Sequence, residues 1–362
     1  MCPTSLYDKI SGRASPGLTQ DGPETMRAVA YLKPLPIEDA GSLVDIEVDR
    51  PSPSGKDLLV EVKAVSVNPV DTKRRRRDDE PGTPKILGYD AVGIVVETGP
   101  EAQLFRPGDA VYYAGAIGRP GSNAEFHLVD ERIVGRKPSS LGFPEAAALP
   151  LTSLTAWELM FERIGVRRRA NADRRTILIV GGAGGVGSIA IQLARRLTGL
   201  TVIATASRPE SRAWCVRLGS HHVIDHTRPL QPQLETLGFA WVDVILSLTA
   251  SDRHPPELAR IISPQGNLGV IDDPKGFDFS ILRGKSASVH FEFMFSRSSF
   301  GTPDIARQHE ILNEIADLVD AGTLRTIMTK NLGCIDAAGL RQAHAMLETG
   351  GAIGKIVLEG FR

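Results

Sequence analysis

Cysteine is nearly absent from this chain of 362 residues: there are three, Cys2, Cys215 and Cys334, widely spaced. They make neither a disulfide framework nor a C-x-x-C ligand pair. A reducing cytoplasm is the expected setting. No apolar run reaches the roughly 18 residues of a membrane-spanning helix, so no membrane partner is expected. Neither sign of charge dominates: 42 Lys and Arg face 43 Asp and Glu, for a formal net charge of -1. No global field would therefore draw nucleic acid or an anionic membrane surface. Residues 1–25 lack the apolar stretch of a signal peptide. They are rich in Ser, Pro, Gly and Thr, and a disordered tail is expected there, with Met26 opening the first strand-like segment. The chain as a whole is 42% apolar and 23% charged, the balance of a soluble globular enzyme. The length suits two domains.

The most informative stretch is Thr176-Ile-Leu-Ile-Val-Gly-Gly-Ala-Gly-Gly-Val-Gly-Ser188. Ile177 to Val180 read as a strand buried on both faces. Gly182, Gly184 and Gly187 satisfy G-x-G-x-x-G, and Gly185 and Val186 complete the turn. The first glycine allows the tight turn, the second lets backbone approach a pyrophosphate, and the third lets the helix pack on the strand. A helix opening there aims its N-terminal N–H groups at an anion. Val186, Ile189, Ala190, Leu193, Ala194 and Leu197 recur at helical spacing. The motif alone is weak; strand before and helix after make it a dinucleotide site.

The end of the next strand, Thr201–Ala206, separates the two dinucleotides. An NAD site places a carboxylate there for the ribose 2′-OH. This chain has Ser207, then Arg208, with Arg212 one helical turn later, and no carboxylate before Glu210. A guanidinium pairs with a 2′-phosphate through parallel charge-assisted hydrogen bonds. The expected cofactor is NADP(H), bound by Ser207, Arg208 and Arg212. The plainer alternative leaves both arginines as solvated charges near a helix start.

From Met26 to about Pro150 the chain shows short strands with Gly and Pro turns, an irregular β domain. Strand candidates are Asp57–Val67, Ala91–Glu97, Ala110–Tyr113 and Ala124–Val129. From about Leu151 helices alternate with strands, including Trp241–Leu246 and Asn267–Ile271, which implies parallel βαβ units. Beyond about Ser280 come a strand at Ser288–Phe295, a helix with Ile311, Ile315, Leu318 and Val319 on one face, a helix at Asp336–Leu347 and a closing strand, Lys355–Leu358. This tail should return to the β domain. The expected division is 26–150 with 285–362, and 151–284 between them. No internal repeat is evident.

In order and spacing, Val67-Asn68-Pro69-Val70-Asp71, Ile86–Gly93 with Gly88-Tyr89-Asp90, Arg106–Asp109, Leu149–Ala156, the glycine turn and Gly354-Lys355-Ile356-Val357 form one set. On these motifs the chain resembles the medium-chain dehydrogenase/reductase superfamily. It looks most like the quinone oxidoreductase branch and the group labelled zinc-type alcohol dehydrogenase-like, over residues 26–361. The resemblance implies an α/β protein: a GroES-like irregular β domain joined to a Rossmann doubly wound parallel sheet, with the active site between them. It also implies a homodimer, commonly built by joining Rossmann sheets edge to edge. It places Asn68, Thr155, His226 and Lys355 beside the cofactor and turns Tyr89 toward the cleft.

Zinc-dependent relatives carry ligands where this chain has Asn68, Tyr89 and a residue near Leu151. No cysteine lies between Val92 and Val134, so the structural zinc lobe is missing too. Zinc takes three or four converging N, S or O ligands. No metal is therefore expected. His221, His222, Asp225 and His226 are a second metal candidate, but alternation about a short strand sends neighbours to opposite faces. Arg74–Arg77 precede Asp78, Asp79 and Glu80. A solvated loop is expected there, with a phosphate patch on the cleft rim as the alternative.

Without a Lewis acid, a plain alkoxide loses its usual support. A quinone or enone spreads the charge left by hydride addition, and a few hydrogen bonds suffice. Asn68 and Tyr89 are the expected catalytic donors, and packing between domains is the alternative role for Tyr89. Asp71 reads better as a strand-turn anchor than as an acid. Phe291, Phe293, Met294 and Phe295 read as an apolar wall for a flat acceptor, with half of them in the core. The expected activity is NADPH-dependent reduction of a small hydrophobic quinone or α,β-unsaturated carbonyl. A zinc alcohol dehydrogenase and an NADPH-binding protein with little turnover are the alternatives. Metal analysis and a quinone turnover assay separate the three.

Overall fold

A computed structural model describes residues 24–77, 83–168, 174–249, 251, 255–273 and 278–361. The tail expected over 1–25 and the acidic run Asp78–Glu80 fall mostly or wholly outside these residues.

A six-stranded parallel sheet runs in the order His222–Ile224, Thr201–Thr205, Thr176–Val180, Val242–Ser247, Ile262–Val270, Ser288–Phe291. Thr176–Val180 is central and buried at every position, as its unbroken apolar run requires in a sheet covered on both faces. The helix Gly185–Leu197 follows, and its buried stripe includes Ile189, Ala190, Leu193 and Ala194. Arg195 and Arg196 in its last turn complement the negative end of the helix dipole. Gly187 is set by contact: a Cβ there would lie 2.3 Å from the Gly181 carbonyl oxygen.

The second body is antiparallel except at one edge. Asp57–Ser66 pairs with Ala91–Thr98, with Phe126–Asp130 and with the closing strand Lys355–Glu359. Lys355–Glu359 also takes a parallel edge strand, Met328–Asn331. The closing strand thus pairs within this antiparallel body. The helix Arg307–Asp320 lies against it, where the Tyr112 hydroxyl donates to the Leu312 carbonyl at 2.6 Å. The mixed α/β architecture, with a GroES-like part and a Rossmann-like sheet, is the one the sequence led to.

Two segments differ from expectation. The strand expected at Ser288–Phe295 stops at Phe291 and joins the parallel sheet, three residues beyond the position taken as the return point. A turn follows, in which Ser296 N–H donates to the Phe293 carbonyl. Strand alternation is lost there: Phe291 and Phe293 are 58% and 49% exposed, whereas Met294 and Phe295 are buried. The Arg74–Arg77 run is not a solvated loop throughout, because Pro69–Arg75 is helical. Arg75 is buried and pairs with Glu348 at 2.7 Å, and Arg76 shares the same carboxylate at 2.8 Å.

Candidate active site

The glycine turn caps the central strand. Gly182 N–H donates to the Thr205 carbonyl and Gly181 N–H to the Thr205 hydroxyl, tying the turn to the neighbouring strand. A Cβ on Gly182 would lie 2.8 Å from the Ala204 side chain. Gly184 is the N-cap, and the helix begins at Gly185 and Val186. N–H groups in such a first turn have no acceptor within the helix. The cradle therefore fits a pyrophosphate.

Ser207 is half-buried and Arg208 exposed at the end of the next strand. Arg208 caps the helix Pro209–Leu218, and its N–H donates to the Ser211 hydroxyl. Its guanidinium donates to the Gly351 carbonyl at 2.6 Å. Arg212 is engaged by backbone: it donates to the Ala206 carbonyl at 3.2 Å and the Val223 carbonyl at 2.8 Å. The Ala206 carbonyl follows the strand Thr201–Thr205 and the Val223 carbonyl lies within His222–Ile224, so Arg212 ties these two neighbouring strands together. His226 is half-buried beyond the strand His222–Ile224. His221 accepts the Val202 N–H through Nδ1, a role inside the fold.

The catalytic end is a buried polar cluster. Asp90 is fully buried and accepts from the Ser66 hydroxyl at 2.9 Å, the Asn68 amide at 2.8 Å, the Leu151 N–H at 2.7 Å and the Lys355 ammonium at 2.9 Å. The ammonium also donates to the Val67 carbonyl and to Asn68 Oδ1. The stem of Lys355 passes the glycine turn: a Cβ on Gly185 would lie 3.1 Å from Lys355 Cδ. One side chain thus joins the turn to the β domain.

This cluster corrects the part expected of Asn68. Its amide N–H groups serve Asp90 and the Tyr89 carbonyl, and its carbonyl serves Lys355. It positions other groups and is not a free donor to an acceptor. Asp71 accepts the N–H groups of Asn68 and Gly88, the anchoring role expected of it; burial pushes its carboxyl up to about 7. Thr155 donates to the Leu151 carbonyl at 2.7 Å, which leaves its oxygen able to accept. Tyr89 is buried with its ring 5.3 Å from Phe295, edge to face. Its hydroxyl lies near Arg74, and burial pushes its pKa up to about 12, so it is a protonated donor at neutral pH.

The sequence points to Lys355 but not to its pairing with Asp90. The available signal was a charge placed just before an apolar strand in both Gly-Tyr-Asp and Gly-Lys-Ile-Val, positions where a buried charge needs a partner. Among the described residues, no three His, Cys, Asp or Glu side chains gather as a metal requires. The zinc positions hold an amide, a phenol and an aliphatic chain, and the nearby carboxylate is taken by an ammonium. These residues do not fit a zinc ion.

A parallel sheet with a glycine-lined dinucleotide turn, packed against a GroES-like β domain with a buried polar cluster between them, defines a class: the chain belongs to the medium-chain dehydrogenase/reductase superfamily and is an oxidoreductase. Residues 54–139 match the alcohol dehydrogenase GroES-like domain and residues 218–358 the zinc-binding dehydrogenase family. The chain is 38% identical over 335 residues to a zinc-type alcohol dehydrogenase-like protein of Staphylococcus aureus (strain MSSA476), covering 92% of this chain and 99% of the relative. It is 29% identical over 351 residues to 2-methylene-furan-3-one reductase of Solanum lycopersicum, covering 93% and 79%. A crystal structure from Rhizobium etli CFN 42, described as that of a zinc-dependent alcohol dehydrogenase protein, superposes with a TM-score of 0.90 at 56% identity, covering 94% and 99%.

Proposed function

We propose that the protein is a zinc-independent, NADPH-dependent reductase of quinones or α,β-unsaturated carbonyls. The observation that carries this reading is the Lys355 ammonium held between Asp90 and Asn68 beside the positions where zinc-dependent relatives keep their metal. The charge a metal would supply there is already supplied by a side chain, and it is neutralised by Asp90. Support for an alkoxide is weak in such a site, which favours acceptors that delocalise their own charge.

The cofactor supplies the hydride when bound. Gly182, Gly184, Gly185, Val186 and Gly187 would cradle its pyrophosphate. Ser207 and Arg208 would hold the 2′-phosphate, with Arg212 fixing the strand ends behind them and His226 beside the adenosine. Thr155 and Lys355 would line the nicotinamide end. Tyr89 is the donor we assign to the acceptor oxygen, and Asn68 positions Lys355 and Asp90 beside it. Phe295 and Phe293, 5.4 Å apart, supply an apolar wall. The activity in the name of the Solanum lycopersicum relative, reduction of a methylene-furanone, is of the same chemical kind.

The edge strand Ser288–Phe291 carries exposed Phe291. An unpaired sheet edge beside apolar surface favours pairing with a second copy, so a homodimer in the cytoplasm completes the proposal. No helix among the described residues is long and apolar enough to cross a membrane.

The test is a panel of quinones, enones, aldehydes and alcohols, with metal analysis of the same preparation. Turnover of conjugated acceptors with NADPH and without stoichiometric zinc is expected. One zinc per chain, with faster turnover of simple alcohols, would establish the zinc alcohol dehydrogenase that the relatives' names favour.

A further inference from the structure

The segment Thr349–Gly354 joins the helix Ala337–Glu348 to the closing strand and crosses the dinucleotide turn. Gly354 N–H donates to the Ala183 carbonyl at 2.9 Å, inside the turn. At the other end of the strap the Gly351 carbonyl accepts from Arg208 at 2.6 Å. The strap thus touches both the pyrophosphate turn and the guanidinium assigned to the 2′-phosphate. It then runs directly into Lys355.

We propose that Gly351 is a specificity-determining residue: the strap holds the Arg208 guanidinium in the pose that recognises a 2′-phosphate. This rests on the reading of the cofactor as NADP(H). Arg208 is exposed, and a free arginine loses much rotamer entropy when it is fixed on a ligand. A guanidinium has five donors in a rigid fork. One is spent on the Gly351 carbonyl, and that single bond orients the others.

The glycine is explained by the same contact. A Cβ at position 351 would lie 3.1 Å from Arg208 Nη1, and its other near neighbour is the Thr349 hydroxyl at 3.4 Å. Backbone geometry does not demand glycine, because Gly351 is not among the residues with a left-handed φ. A side chain at 351 would therefore press on Arg208 and on little else. Gly350 is the opposite case: its φ is +68° and nothing lies within 4 Å of a Cβ there. Substitution at 350 strains the strap without touching Arg208.

The experiment measures Kd for NADPH and NADH by calorimetry for wild type, Gly351→Ala, Gly351→Val, Gly350→Ala, Arg208→Ala and the double variant Gly351→Val/Arg208→Ala. Removing one charge-assisted hydrogen bond to the phosphate should weaken NADPH binding about tenfold. Gly351→Val should show that weakening with NADH unchanged, and Gly351→Ala a smaller one in the same direction. The double variant should match Arg208→Ala alone, since both act through one guanidinium. Gly350→Ala should lower the Tm and leave the NADPH-to-NADH ratio intact. Should Gly351→Val not fold, the Ala variant and the double cycle built on it carry the test. If Arg208→Ala is selective for NADPH while the Gly351 variants weaken both cofactors alike or neither, or add to Arg208→Ala, the role of Gly351 is overturned and the cofactor reading stands. If Arg208→Ala weakens both cofactors equally, the NADP(H) reading falls first and this inference with it.

Discussion

The phosphate end and the catalytic end of the cleft are built on opposite plans. Around Gly185 and Arg208 there are donors in reserve: a helix start whose first-turn N–H groups have no acceptor within the helix and an exposed guanidinium holding one carbonyl. Around Asn68, Asp90 and Lys355 the hydrogen-bonding groups are spent on one another. The first arrangement waits for an anion. The second already contains its cation and its anion, and a low-dielectric surrounding makes that pairing strong. Recognition can thus reside in loosely held charges, while the reacting end gains rigidity from a closed network.

The comparison is broken most completely at the turn. Gly187→Val places atoms within 2.3 Å of the Gly181 carbonyl oxygen, so the helix must move off the strand and the cradle with it. Loss of measurable binding for NADPH and NADH alike is expected in fluorescence titrations. Retained binding of either would show that the turn is not the pyrophosphate site.

At the closed end, Lys355→Met leaves the Asp90 carboxylate buried without its counter-charge. Breaking such a pair costs about 3–5 kcal/mol, measured by chemical denaturation. Adding Asp90→Asn removes the stranded charge and should recover much of the loss. A single variant within about 0.5 kcal/mol of wild type would show that water reaches the cluster and that it is not closed.

The open end was legible in the sequence and the closed end only in part. A glycine turn announces itself because local geometry fixes it: strand, three glycines and amphipathic helix are contiguous. The position of Arg208 at the end of the next strand was legible for the same reason, being a fixed distance along it. Asp90 and Lys355 are 265 residues apart, and nothing local says that they meet. Asn68 was assigned a free amide because its environment, not its identity, consumes it. Spacing puts Arg212 one helical turn on but does not say which way a long side chain folds, so its bonds to the Ala206 and Val223 carbonyls were not legible. The short strand Ser288–Phe291 was over-extended because Phe293, Met294 and Phe295 have high strand propensity, yet two of the three are drawn into the core by a turn.

Tyr89 tests whether the closed end acts on substrate at all. Its hydroxyl is a donor at the closed end, and burial keeps it protonated. Tyr89→Phe keeps the ring packing on Phe295 and removes the hydroxyl, with its contact to Arg74. Loss of one such donor raises a barrier by roughly 2.7–4 kcal/mol, so kcat should fall by about two to three orders of magnitude while NADPH affinity holds. A fall of only a few-fold would leave Tyr89 as interdomain packing.

The smallest effect concerns the helix that feeds the strap. His344, on Ala337–Glu348, is fully buried, and neither ring nitrogen has a hydrogen-bond partner among the described residues. Burial first, and then Arg75, push its pKa down to about 4; Arg76 acts in the same sense and Glu348 opposes. His127 is also held near 4 by burial, but it makes hydrogen bonds with the Tyr113 hydroxyl and the Pro120 carbonyl. Both fold as the neutral ring, whereas the unfolded chain takes up protons near pH 6.5. The unfolded state therefore binds more protons between about pH 6.5 and 4. Stability should be full above that window, fall as pH drops through it, and lose no more from these groups below it. Each histidine contributes a slope of up to about 1.4 kcal/mol per pH unit. His344→Leu removes one contribution without breaking a hydrogen bond, so denaturation at pH 5 should show it more stable than wild type, with little difference at pH 8. His127→Leu should lose stability at pH 8, because two hydrogen bonds go with the ring, and lose less at pH 5, where removing the ring also removes its titration cost. Equal behaviour of the two variants would mean that His344 has partners in solution and that the helix leading to the strap is less closed than its packing implies.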